Sequence, residues 1–230
     1  MAELLKRVLG STSGKVGDLV FKYHKNGKVF ISTHKGFNTI SKSANCAKNR
    51  ANFNKVVKFS RAVNSLPELR DIWKASKVNG RSAYTKILSF NIKLLADAEP
   101  SLNNRISPGG FGFNTQNLVL AENSVSLDIK LNERTKEYVG QSFTANFVVA
   151  LFDQKQNLKE ELFPFAAAVG KYLPKNITDF INVTAEFDSI QKQYVAEFTK
   201  AIVYTAITKT DVKPYLHSDS FAIASDIIQT

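Results

Sequence analysis

Residues 125–131 read VSLDIKL: Val125, Leu127, Ile129 and Leu131 are apolar, and Ser126, Asp128 and Lys130 between them are polar. A period of two puts the apolar side chains on one side of a pleated strand, so this segment reads as a strand with one face in a core. The pattern returns in Phe143, Ala145, Phe147, Val149 and Leu151, and again in Ile181, Val183, Ala185 and Phe187. Tyr194–Thr208 is a long β-rich stretch, and Phe221–Ile228 reads as a last strand. About seven short strands over residues 115–230, punctuated by Asn, Asp, Gly and Lys, predict an antiparallel Ig-like β-sandwich.

Upstream the signals change. Residues 99–114, EPSLNNRISPGGFGFN, are dense in Pro, Gly and Asn and predict a linker over 101–114. Residues 41–100 have a helical period and read as a basic unit of three short helices. In the first, Phe53, Val56, Val57, Ser60 and Val63 share a stripe. Ser65-Leu66-Pro67-Glu68 predicts a capping box, with Ser65 as N-cap and Glu68 reaching back to it. The helix that follows would bury Leu69, Ile72 and Trp73, and Asn79-Gly80 would end it. A third helix from about Ser82 would bury Tyr84, Leu88, Asn91 and Leu95.

Residues 1–40 read as an N-terminal arm and β-hairpin. Two β-rich runs in KVGDLVFKYHKNGKVFISTH, residues 15–34, flank Asn26-Gly27, the pair that a type I′ turn favours. That turn would pair Lys25 with Lys28, Tyr23 with Phe30 and Lys22 with Ile31. Both faces would then be partly apolar, and a two-stranded hairpin is marginal in water without a surface to lie on. The fold class expected overall is α+β: an N-terminal hairpin, three short helices and a C-terminal antiparallel Ig-like sandwich.

The chain has 230 residues, 43% of them hydrophobic, with 31 Lys and Arg against 20 Asp and Glu for a net charge of +11. This excludes disordered, collagenous and disulfide-scaffold classes. Residues 1–100 hold 19 basic and 6 acidic side chains and residues 101–230 hold 12 and 14, so the excess positive charge lies in the first half. Cys46 is the single cysteine, which rules out an intrachain disulfide and a thiolate-rich zinc site. His24, His34 and His217 have no metal-ligand spacing. Gly10-Ser-Thr-Ser-Gly-Lys15 has one residue too few for a phosphate loop, and Gly109-Gly110-Phe111-Gly112 lacks the βαβ unit of a dinucleotide fingerprint. No catalytic, cofactor-binding or metal-binding residue and no small-molecule substrate is therefore predicted, and the chain reads as a non-enzyme. No signal peptide or membrane-spanning run is legible. That leaves a cytoplasmic or virion-associated location, or export by a route not readable in the residues.

Gly10, Ser13-Gly14-Lys15-Val16-Gly17, Arg50-Ala51-Asn52-Phe53 and Gly80-Arg81-Ser82-Ala83-Tyr84, with Asn91 after them, resemble the opening of a family of uncharacterised proteins common in Bacteroidota. That family begins with a Gly-x-x-Ser-Gly-Lys-x-Gly hairpin, and the resemblance covers about residues 9–98. It implies a bacterial or phage origin and a hairpin, helices and β-sandwich, and it brings no assigned substrate.

Two functional expectations follow. The first is a structural or assembly protein, such as a subunit of a filament, virion or surface assembly. It would self-associate through Phe21, Tyr23, Val29, Phe30 and Ile31 of the hairpin and through the edge strands of the sandwich. The second is sequence-independent binding of nucleic acid by Lys15, Lys22, Lys25, Lys28, Lys48, Arg50, Lys55, Lys58 and Arg61, whose charge would release counterions from phosphates.

Overall fold

The computed structural model describes residues 2–4, 14–16, 19–23, 29–33, 43–94, 100–154, 165–211 and 213–228. It is a mixed α+β structure with antiparallel sheets, and the chain divides into two units, residues 1–46 and 47–230.

The first unit holds a four-stranded sheet of β1 (Ala2–Leu4), β2 (Gly14–Val16), β3 (Leu19–Tyr23) and β4 (Val29–Thr33), in the order β1-β4-β3-β2. β3 and β4 pair antiparallel, but with Tyr23 opposite Val29, Lys22 opposite Phe30 and Phe21 opposite Ile31. This is one residue away from the register a two-residue Asn26-Gly27 loop would impose; residues 24–28 themselves lie outside the described residues. The slip has a physical reason. It puts Phe21 opposite Ile31 and Tyr23 opposite Val29, so that the face carrying Leu19, Phe21 and Tyr23 holds no charged residue.

The second unit opens with α1 (Ala44–Ser65), α2 (Pro67–Ala75) and α3 (Ala83–Asn91). The buried stripe of α1 is Val56, Phe59, Ser60 and Val63; Phe59 takes the inward place expected of Phe53, which is 47% exposed. Pro67 occupies the first turn of α2 and Leu69, Ile72 and Trp73 are buried, as the pattern predicts. The capping box does not form. Ser65 ends α1 and donates its hydroxyl to Ala62 O (2.7 Å), and Leu66 is the uncapped N-cap of α2. The capping box that does form joins Ser82 and Thr85 at the start of α3, whose buried residues are Ala83, Lys86, Ile87 and Asn91.

Downstream come β5 (Phe113–Leu120), β6 (Ser124–Leu131), β7 (Phe143–Gln154), β8 (Phe165–Tyr172), β9 (Ile181–Glu186), α4 (Ser189–Val195), β10 (Phe198–Lys209), β11 (Leu216–His217) and β12 (Phe221–Asp226). Tyr194, read as the start of a strand, is instead on α4, and the strand begins at Phe198. One sheet runs β11-β10-β7-β8, with β12 also paired to β10; the other runs β5-β6-β9. Alternate residues of β6, β7, β8, β9 and β10 meet in one core between the sheets, where Val125, Leu127, Ile129 and Leu131 are all fully buried. The intervening residues of the larger sheet, Val148, Ala150, Tyr204 and Ala206, meet Phe59, Val63, Leu69, Trp73 and Ile87 of the helices in a second core. The Phe59 ring stands edge-on to Tyr204 (5.2 Å) and Phe165 (5.8 Å).

The stretch read as a linker is built into this body. Asn104, Ile106 and Ser107 are buried. Trp73 Nε1 donates to Ile106 O (2.7 Å), Ile106 N donates to Ser220 Oγ (2.6 Å) and Ser107 Oγ donates to Ser218 O (2.8 Å). Asn91 is fully buried; its Nδ2 donates to Arg105 O (2.9 Å) and its Oδ1 accepts from Arg105 N (2.8 Å) and Asn104 Nδ2 (3.1 Å). Pro, Gly and Asn mark the absence of regular structure, not exposure, and a backbone buried without a ladder must find partners such as these.

Candidate functional site

The ladder of the N-terminal sheet sorts its residues by face. Ala2, Ile31, Phe21 and Gly14 form one row across the four strands, Leu4, Val29 and Tyr23 another, and Val16, Leu19 and Thr33 a third. These rows share a face and none of them holds a charged residue. The rows between them, Glu3–Phe30–Lys22 and Lys15–Val20–Ser32, belong to the opposite face and hold the charges. Of the five residues expected to associate, Phe21, Tyr23, Val29 and Ile31 therefore fall on the uncharged face, and Phe30 lies across the sheet beside Lys22. Val20, Phe21, Phe30 and Ile31 are all only half-buried, and Leu19 is 42% exposed. No side chain described in this unit is fully buried.

The basic residues do not form one described patch. Lys15 and Lys22 belong to the N-terminal sheet, whereas Lys48, Arg50, Lys55, Lys58 and Arg61 are on α1 in the second unit; Lys25 and Lys28 lie outside the described residues. Lys48, Arg50 and Arg61 are exposed, and Lys55 and Lys58 are half-buried along the flank of the helix.

The rims of the two sheets of the second unit are crowded by their own partners. β8 runs beside β9 so closely that a Cβ on Gly170 would stand 2.8 Å from Val183 Cγ1 and 2.9 Å from Thr184 O. β12 lies by β5, with the Phe113 and Phe221 rings 6.2 Å apart. In the N-terminal sheet β1 and β2 each pair on one side only, as β5, β8, β9 and β12 do in the second unit.

Sequence reasoning missed a polar seam under α2. Glu68, instead of capping its own helix, accepts from Thr144 Oγ1 (2.6 Å) and Thr208 Oγ1, and Asn146 Nδ2 donates to Thr208 Oγ1 (2.7 Å). The signal was present as Thr144, Asn146 and Thr208 at alternate, otherwise apolar strand positions. The seam ties the start of α2 to the sheet. Burial pushes the Tyr172 and Tyr194 phenols up to about 12 and the Tyr204 phenol higher still, so all three stay neutral; Tyr204 donates to Ser101 O (2.8 Å). Burial also lowers the pKa of His217, while His24 and His34 lie outside the described residues. Among the described residues no three His, Cys, Asp or Glu side chains gather as a metal site, and no helix is long and apolar enough to cross a membrane. Compared with protein families, characterised proteins and solved structures, the chain matches none.

Proposed function

We propose that this chain is a non-enzymatic subunit of a homomeric assembly, of the filament, virion or surface kind, and that a second copy completes its N-terminal sheet. One observation carries the reading: one face of that sheet, made of three alternate rows of its ladder, lacks any charge, and not one described side chain of residues 1–46 is fully buried. A unit of this size falls near the limit below which a core needs help from oligomerisation. The partner is another copy because β1 and β2 are short antiparallel edges, and an edge can pair with its own equivalent about a two-fold axis. The charged face, with Glu3 on one edge strand and Lys15 on the other, would set the register. Pairing order in the second unit supports reading its two sheets as an Ig-like sandwich: the first, second and fifth strands make one sheet, and the third, fourth, sixth and last share the other.

Mass photometry and light scattering across protein and salt concentrations test the proposal. Oligomers should form, and Phe21→Ser with Ile31→Ser should return the chain to monomer while its thermal transition is kept. A strict monomer at every concentration would defeat it. A second reading, sequence-independent nucleic-acid binding, is favoured by the exposed Lys48, Arg50 and Arg61 on the helix that also exposes Phe53. Oligonucleotide binding that falls steeply with salt, and that charge reversal at Lys48 and Arg61 removes, would install it instead.

A further inference from the structure

We propose that the cleft between the C-terminal end of α2, residues 108–110 and residues 213–217 binds a phosphomonoester carrying a flat ring, the chemistry of a nucleoside monophosphate. The cleft has a volume of about 1120 Å³, ample for such a molecule. Lys74, Lys77 and Lys213 line it against a single carboxylate, Asp71. No arginine is among the lining residues. Separate ammonium groups act as point charges, and three of them around one anion suit the multiple charge of a phosphomonoester.

The end of a helix is an unfavourable place for an anion, because its last carbonyls carry negative partial charge. Here those carbonyls are occupied. Ser76 N donates to Ile72 O (2.9 Å) and Trp73 O (3.3 Å), and the buried Lys86 ammonium donates to Lys74 O (3.0 Å) and Ser76 O (2.5 Å). Lys86 thus brings positive charge to the wall of the cleft from behind. The lining also offers apolar surface in Pro108, Pro214 and Tyr215, and Lys213 Nζ stands over the Tyr215 ring at 5.8 Å from its centre, so charge and ring are adjacent.

The floor is preformed. A Cβ on Gly110 would lie 2.0 Å from His217 O, so only glycine lets residues 109–111 press against β11. Phe111 N donates to that same His217 O (3.1 Å), and Asp219 N donates to Phe111 O (2.9 Å). The glycines that make no dinucleotide fingerprint thus have a different use here, as the close-fitting floor of a cleft. His217 itself is among the lining residues.

Equilibrium dialysis of AMP against the full chain tests the site. Saturable one-to-one binding with a dissociation constant near or below about 1 mM is expected, with adenosine and inorganic phosphate each at least about tenfold weaker. Joint reversal of Lys74→Glu, Lys77→Glu and Lys213→Glu should weaken AMP more than about tenfold, and Tyr215→Ala should weaken AMP without changing phosphate. Should the triple reversal not fold, the Lys→Gln triple replaces it and is held to the same loss. Reversal at the exposed Lys136 and Lys171, which lie outside the lining, should leave AMP binding as it was. The proposal is overturned if AMP fails to saturate, if the triple variant binds AMP as well as the parent, or if Lys136 and Lys171 matter equally.

Discussion

The two units use the same amphipathic alternation and reach different ends. In residues 47–230, β7 and β10 are covered on both sides, by the β5-β6-β9 sheet on one and by α1, α2 and α3 on the other, and their residues from Ala145 to Leu151 and from Val203 to Thr208 are all buried. In residues 1–46, alternation in β3 and β4 yields an apolar face, yet Phe21 and Ile31 remain half-buried and Leu19 exposed. An alternating strand specifies that something must cover it; only the rest of the chain specifies whether the cover is internal.

Substitutions can break or sharpen this contrast. The largest effect should come from Trp73→Ala, which removes a fully buried ring and its bond to Ile106 O. Urea unfolding should show a loss of about 3–5 kcal/mol, against less than about 1 kcal/mol for Ile31→Ala. Equal losses at the two sites would erase the contrast. Asn91→Leu comes next: it keeps the volume but leaves Arg105 N, Arg105 O and Asn104 Nδ2 without this partner, and should cost about 2–4 kcal/mol in the same experiment. Lys86→Met should cost about 1–2 kcal/mol, because the apolar stem is retained while the carbonyl ends of α2 lose their donor.

The smallest effect is a pH dependence. Burial lowers the pKa of folded His217 below its ordinary 6.5, so the unfolded chain binds the proton more readily. Stability from this residue is therefore complete above the unfolded value and declines as pH falls through it. Thermal melts at pH 7.5 and 5.5 should show a drop that His217→Gln reduces; an unchanged drop would assign the dependence elsewhere.

Much of the second unit could be read from the residues. Clean alternation in β6 and β9 told strand from helix and named the inward face, because a half-buried strand needs nothing but its period. Leu69, Ile72 and Trp73 were legible for the equivalent reason in a helix. The failures share a cause, which is that a partner distant in sequence made the choice. Phe59 instead of Phe53 faces inward because Tyr204 and Phe165 wait there. Glu68 leaves Ser65 for Thr144 and Thr208. Asn104, Ile106 and Ser107 are buried because Asn91, Trp73, Ser218 and Ser220 supply the hydrogen bonds that local structure would otherwise provide. The register of β3 on β4 turned on which face had to be uniform, a matter the turn residues alone do not express. Of the candidate site, four of the five association residues fall together on one face by register, whereas the cleft around Tyr215 was invisible: its walls come from three separated segments.

Double coverage of β7 and β10 also bears on synthesis. These strands are apolar on both sides and would adhere to other chains if they emerged bare. The covering helices, residues 44–91, precede them in the chain. A ribosome therefore releases the shield before the adhesive strands, and a circular permutant that made residues 143–209 first would be expected to precipitate during translation while refolding normally from dilute denaturant.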